Sequence, residues 1–86
     1  MLTRVICHDG LAYIGDVDVT RSNEYTLFLL GHMRFVWKRN ISDMFEWDGN
    51  RWLRVHGHPT YYDDYLARGG TMWPGEFYKI VMRDDI

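Results

Sequence analysis

The chain has one cysteine, two prolines and no apolar run near the roughly 18 residues that a membrane-crossing helix needs. A single cysteine excludes an internal disulfide framework and fits a reducing, cytoplasmic setting. No Lys/Arg-led apolar leader is present, which predicts a soluble, unprocessed protein with no membrane partner. Excess positive charge is missing too. Ten Lys and Arg stand against twelve Asp and Glu, giving a net charge of −2, so any nucleic-acid binding needs a local patch.

Catalytic and metal motifs are equally scarce. There is no phosphate-cradling glycine loop and no Gly-x-Ser-x-Gly elbow. Asp63-Asp64 is an adjacent pair whose carboxylates diverge on a helix, and Asp84-Asp85 is a charge pair near the end of the sequence. No catalytic residue set emerges, and the chain is expected not to be an enzyme. His56-x-His58 puts two imidazoles on one side of an extended segment. With His8, His32 and Cys7 scattered elsewhere, no three or four ligands have metal-type spacing. No metal and no cofactor are expected, and Cys7 reads as a small core residue.

What is present points to one small, mainly β domain. Of 86 residues, 47% are hydrophobic, enough for a folded globule rather than a disordered segment. Val5-Ile6-Cys7-His8 meets Asp9-Gly10, and Leu11 to Val19 follows. Asp-Gly between two apolar runs is a strong hairpin signal. Leu11, Tyr13, Val17 and Val19 share one face of the second run, with Asp16 and Asp18 toward water. Gly15 inside it allows a sharp bend. Thr20 to Glu24 is a polar loop.

Tyr25 to Leu30 reads as a third, buried strand. Met33 to Lys38 reads as a fourth, with Met33, Phe35 and Trp37 on one face. Arg39-Asn40 breaks the chain before a fifth strand, Ile41 to Trp47. Asp48-Gly49-Asn50 turns it back through Arg51 to Val55. Thr60 is placed to cap a short helix over 61–68 that Gly69-Gly70 ends. Its Tyr61, Tyr62, Tyr65 and Leu66 spacing predicts an aromatic face. Met72 to Gly75 reads as a turn and Phe77 to Met82 as a last strand.

These residues resemble the Sm-like fold, and more closely its bacterial, Hfq-type branch. Leu11-Ala12-Tyr13-Ile14-Gly15-Asp16-Val17 after Asp-Gly matches the family's second strand, and Trp37-Lys38-Arg39-Asn40-Ile41-Ser42 matches its junction between strands four and five. The likeness covers roughly residues 1–47. It departs in the long loop from Val19 to Glu24, in the absence of an N-terminal helix, in Arg39-Asn40 itself, and in a tail without a counterpart. So compact a version implies a phage-encoded member.

The resemblance implies a small, bent, five-stranded Sm-like (SH3-like) barrel over residues 1–47. Residues 48–86 form an aromatic-rich extension packed on it: a hairpin, a short helix and a last strand. It implies a cyclic homo-oligomer of about five to seven subunits, in which strand four of one subunit pairs with strand five of the next. Phe35, Val36, Trp37, Met44 and Phe45 would form that interface, and apolar edge strands with few guarding charges independently favour assembly, the alternative being that the C-terminal strand covers one edge within the monomer. It also implies single-stranded RNA binding for processing or regulation. Tyr25 would stack on a base, Lys38, Arg39 and Asn40 would line the pore, and Asn23, Asn40 and Ser42 would read base edges. The competing readings put Tyr25 in the core, leave Lys38-Arg39 as a solvated turn, and make the domain a protein-interaction module, without nucleic acid, that binds a host or phage factor through exposed aromatics.

Overall fold

The computed structural model describes the backbone of residues 1–84 and side-chain burial for residues 1–80. Among the described residues six strands and two helices follow one another: β1 (Leu2–Cys7), β2 (Ala12–Asp16), β3 (Thr26–Leu29), β4 (Arg34–Trp37), β5 (Ile41–Trp47), β6 (Trp52–His56), α1 (Tyr61–Ala67) and α2 (Pro74–Asp84). A single 3-10 turn, Lys38–Asn40, joins β4 to β5. Four strands make an antiparallel sheet in the order β2-β1-β5-β6, and β3-β4 is a separate antiparallel hairpin. Among the described residues no helix is long and apolar enough to cross a membrane.

The first turn forms as its Asp-Gly predicts. Gly10 sits at φ +90°, a region open to glycine without steric cost, and Asp9 Oδ1 accepts from the Leu11 amide at 3.0 Å. Gly15 is where the chain bends. A Cβ at this position would stand 2.7 Å from the Leu30 carbonyl oxygen, so only glycine lets β2 approach the end of β3 this closely. Beyond the bend, Val17 bridges Leu29, the Asp18 amide donates to Phe28 O at 2.9 Å, and the Leu30 amide donates to Asp16 O at 2.8 Å. The hairpin is thereby hung on the far end of β2. Leu11 and Val19, expected on the buried face, lie exposed beyond the ends of the strand.

Each face of the four-stranded sheet carries a core, because alternate residues of β1 point opposite ways. Val5 and Cys7 meet Leu27, Leu29 and Val36 of the hairpin, with Ile41. On the other face Phe45 and Trp52 meet Tyr62 and Leu66 of α1, and Phe77 and Tyr78 of α2 pack against that cluster. The extension is thus packed on the sheet. Arg4, only 3% exposed, pins it there. Its guanidinium lies between Trp52 and Trp73, 4.8 and 4.3 Å from the ring centres. It donates to the Tyr62 hydroxyl and to the carbonyls of Met72 and Thr71.

Three expectations change. The segment 77–82 is helical and belongs to α2, not to a last strand. Pro74 occupies the first helical position, Glu76 the first turn, and the Phe77 amide already donates to Trp73 O at 3.0 Å. Proline there loses no hydrogen bond, and a carboxylate near a helix start is favourable. Second, the sheets do not close into a barrel, and β4 and β6 are left with open edges.

Third, β5 has no free edge for a neighbour from Met44 to Trp47, because β6 pairs with it there. Phe45 is fully buried against α1, Val36 is buried in the first core, and Met44 packs against that core. Of the five residues expected at a subunit interface, only Phe35 and Trp37 present exposed side chains.

Candidate nucleic-acid interface

The chain's charge is not spread evenly. Residues 20–40 hold four cations, Arg21, Arg34, Lys38 and Arg39, against the single carboxylate of Glu24, whereas the rest of the chain holds six cations against eleven carboxylates. The segment built on β3 and β4 is therefore net +3 within a chain of net −2.

The same segment exposes aromatic side chains. In the β3–β4 register Phe28 faces Phe35 and Thr26 faces Trp37, so alternation sends Phe28, Phe35 and Trp37 to the outer side and Leu27, Leu29 and Val36 inward. Phe35 is 58% exposed and Trp37 53%. The Met33, Phe35 and Trp37 face expected from the sequence is thus the solvent face. Arginines lie over two of its rings: Arg39 is 4.9 Å from the ring centre of exposed Trp37, and Arg21 is 4.9 Å from that of Phe28, which is buried. Phe28 and Phe35 pack edge to face at 4.7 Å between centroids. Arg34 reaches across to donate to the Tyr13 hydroxyl at 2.7 Å.

Tyr25 is not a core residue; it is 64% exposed. Its carbonyl accepts from the Lys38 amide at 2.9 Å, which extends the Thr26–Trp37 register by one step and sets Tyr25 opposite Lys38. By that register the pair belongs to the inner side of the hairpin, in line with Leu27 and Val36. Asn23 folds the preceding loop: its Oδ1 accepts from the amides of Tyr25 and Thr26 at 2.7 and 2.9 Å. That use occupies the oxygen and holds Tyr25 in place.

Asn40 sits at the other end of the 3-10 turn. Its carbonyl accepts from the His8 amide at 2.7 Å, and its Nδ2 donates to Asp9 Oδ2 at 3.3 Å. The Leu11 amide, with help from Asn40, holds the Asp9 carboxyl below its usual value. Of the five sequence-derived positions, then, Tyr25 and Lys38 pair on the inner side at one end of the hairpin, while Arg39 lies over Trp37 on the outer side. Asn23 and Asn40 brace its two flanks.

Beside Lys38 lies a cavity of about 270 Å³ that sequence reading did not find. Leu27, Ile41, Met44 and Val55 make its apolar wall, and Lys38 and His56 are its polar members. It occupies the gap that the open sheet leaves between the hairpin and β6. Only the pairing of β6 onto β5 brings Val55 and His56 there, and no local motif in the sequence signals that contact.

Compared with protein-family models, curated proteins and solved structures, the chain matches none.

Proposed function

We propose that the chain binds single-stranded RNA through the β3–β4 hairpin, as an Sm-like protein acting in RNA processing or regulation. One observation carries this reading: four cations and the exposed rings of Tyr25, Phe35 and Trp37 gather on one hairpin of an otherwise acidic chain. An exposed ring stacks on any base, for about 1–3 kcal/mol per base. Lys38 and Arg39 supply phosphate attraction and a guanidinium plane. A few cations focused at one place outweigh dispersed carboxylates elsewhere. Asn23 retains its amide nitrogen for a base edge, whereas the Asn40 amide is already engaged by Asp9.

Assembly belongs to the same reading. Two of the edge strands, β4 and β6, both expose apolar side chains: Phe35 and Trp37 on one, Leu53 and Val55 on the other. Pairing β4 of one subunit with β6 of the next is a head-to-tail contact that closes into a ring when the rotation permits. Repeated around the ring, each cation counts once per subunit.

Fluorescence anisotropy with short U-rich and A-rich oligonucleotides tests the binding. Tyr25→Ala is expected to cost about 1–3 kcal/mol with an unchanged salt slope. Lys38→Ala and Arg39→Ala are expected to weaken every sequence and flatten that slope. Affinity unchanged in all three folded variants removes the site. The exposed apolar side chains of the β4 edge favour a second reading, a protein partner added along that edge. It predicts no oligonucleotide binding and a loss of partner binding in Phe35→Lys.

A further inference from the structure

We infer that the cavity between the hairpin and β6 is a mononucleotide site, taking one base against Leu27, Ile41, Met44 and Val55 and its phosphate at Lys38 and His56. The inference rests on the single-stranded RNA reading and says where one nucleotide of the strand is held. Four aliphatic or thioether side chains form a wall with no hydrogen-bonding side-chain atom except at Lys38 and His56. Such a wall suits a flat, weakly polar ring and offers nothing to a sugar or a peptide backbone. At about 270 Å³ the cavity is near the lower end of small-molecule sites, a size for one base rather than for an extended ligand.

Charge then fixes which flat ligand. Lys38 is a compact cation suited to a phosphate, and it lies in the net +3 segment. His56 approaches from the other wall, on β6, with its backbone carbonyl held by Arg54 at 3.1 Å. A ring between these walls with one anionic group at the rim is a nucleotide. Tyr25, paired across the hairpin from Lys38 and largely exposed, lies beside this rim, so the next base along the strand has a ring to stack on.

The four wall residues all carry methyl groups, which makes the test direct. Methyl NMR of the whole chain is titrated with uridine and adenosine 5′-monophosphates, with the two nucleosides, and with inorganic phosphate. The monophosphates are expected to shift the Leu27, Ile41, Met44 and Val55 methyls together and to saturate in the millimolar range. The nucleosides are expected to bind about tenfold more weakly, a difference set by one charge-assisted contact. Lys38→Ala is expected to bring monophosphate binding down to the nucleoside level, and Val55→Trp, on a half-exposed position of an edge strand, to fill the cavity and abolish both.

Silent wall methyls, equal affinity for monophosphate and nucleoside, or an unaffected Lys38→Ala would each overturn the inference. If Val55→Trp fails to fold, Lys38→Ala decides the matter alone. Oligonucleotide binding with silent wall methyls removes the cavity and leaves the RNA reading standing. Monophosphate binding without oligonucleotide binding does the reverse.

Discussion

Both halves of the molecule lay arginine over aromatic rings, and burial decides what each pair is for. On the helix side Arg4 sits between Trp52 and Trp73, and Arg54 lies 4.6 Å from the Phe45 ring centre. Both make their hydrogen bonds within the fold: Arg4 to a hydroxyl and two carbonyls, with its buried Nε unpaired, and Arg54 to Asp43 and Asp63. On the hairpin side Arg39 lies over Trp37 and Arg21 over Phe28 at similar distances. Phe28 is itself buried, but Arg39 and Trp37 are both exposed. The same pair of groups is a rivet when water is excluded and a docking surface when it is not.

Removing Arg4 is the hardest blow to that contrast. Arg4→Met takes away three hydrogen bonds and two ring contacts and leaves the Thr71 carbonyl without its donor. Hydrogen bonds to a charged group contribute about 1.5–3 kcal/mol each, but relief of the guanidinium's own burial offsets much of this, for a net loss of about 3 kcal/mol. Urea unfolding should show that loss, with the near-ultraviolet signal of the Trp52–Trp73 cluster lost first. A stability equal to the parent's would mean that Arg4 is tolerated rather than required.

Asp63 gives a smaller and pH-dependent effect. Burial alone would raise its carboxyl, but Arg54 and the Thr60 amide together hold it below 3.8. A depressed carboxyl stabilises the fold fully above its ordinary value and loses that contribution as pH falls through the depressed one. The parent is therefore expected to lose stability on acidification below about pH 4. Asp63→Asn is expected to cost about 1–2 kcal/mol near neutrality, through the lost Arg54 pair and the weakened cap of α1, and to flatten the acid limb. An unaltered acid limb would assign acid sensitivity to other carboxylates.

Smallest of all should be Tyr25→Ala in stability. Its ring is largely exposed, so the midpoint of thermal unfolding should stay within the equivalent of about 0.5 kcal/mol of the parent. A large drop would make Tyr25 a packing residue after all and collapse the distinction between the two halves.

How much of this was legible in the sequence follows the range of the signal. Asp9-Gly10, the bend at Gly15, the polar break at Arg39-Asn40 and the Thr60 cap are local, and each is realised where its residues predict. Over the helix at Phe77, Phe-Tyr-x-Ile-Val-Met satisfies strand preference, which is why the residues alone predict a strand there. The Pro74-x-Glu76 start signal was present and carried more weight.

Alternation in β4 told which residues share a face, but not that the face is outward. That depends on Leu27, Leu29 and Val36 completing the core beneath it. Arg4 gave one hint, a cation in the middle of an apolar strand. Its partners, from Trp52 to Trp73, lie far down the chain, where no spacing rule reaches. The cavity at Lys38 is of the same kind, since Val55 and His56 reach it only through a strand pairing.

β5 runs through both cores: Ile41 lies in the first, and Phe45 in the second. It is bonded to β1 on one side and to β6 on the other. Neither core can therefore come apart while the other stays whole without tearing this strand from a partner. The two halves, so different in what they present to solvent, are expected to melt in a single step. The amides of β5 should exchange with solvent only as often as the entire molecule opens.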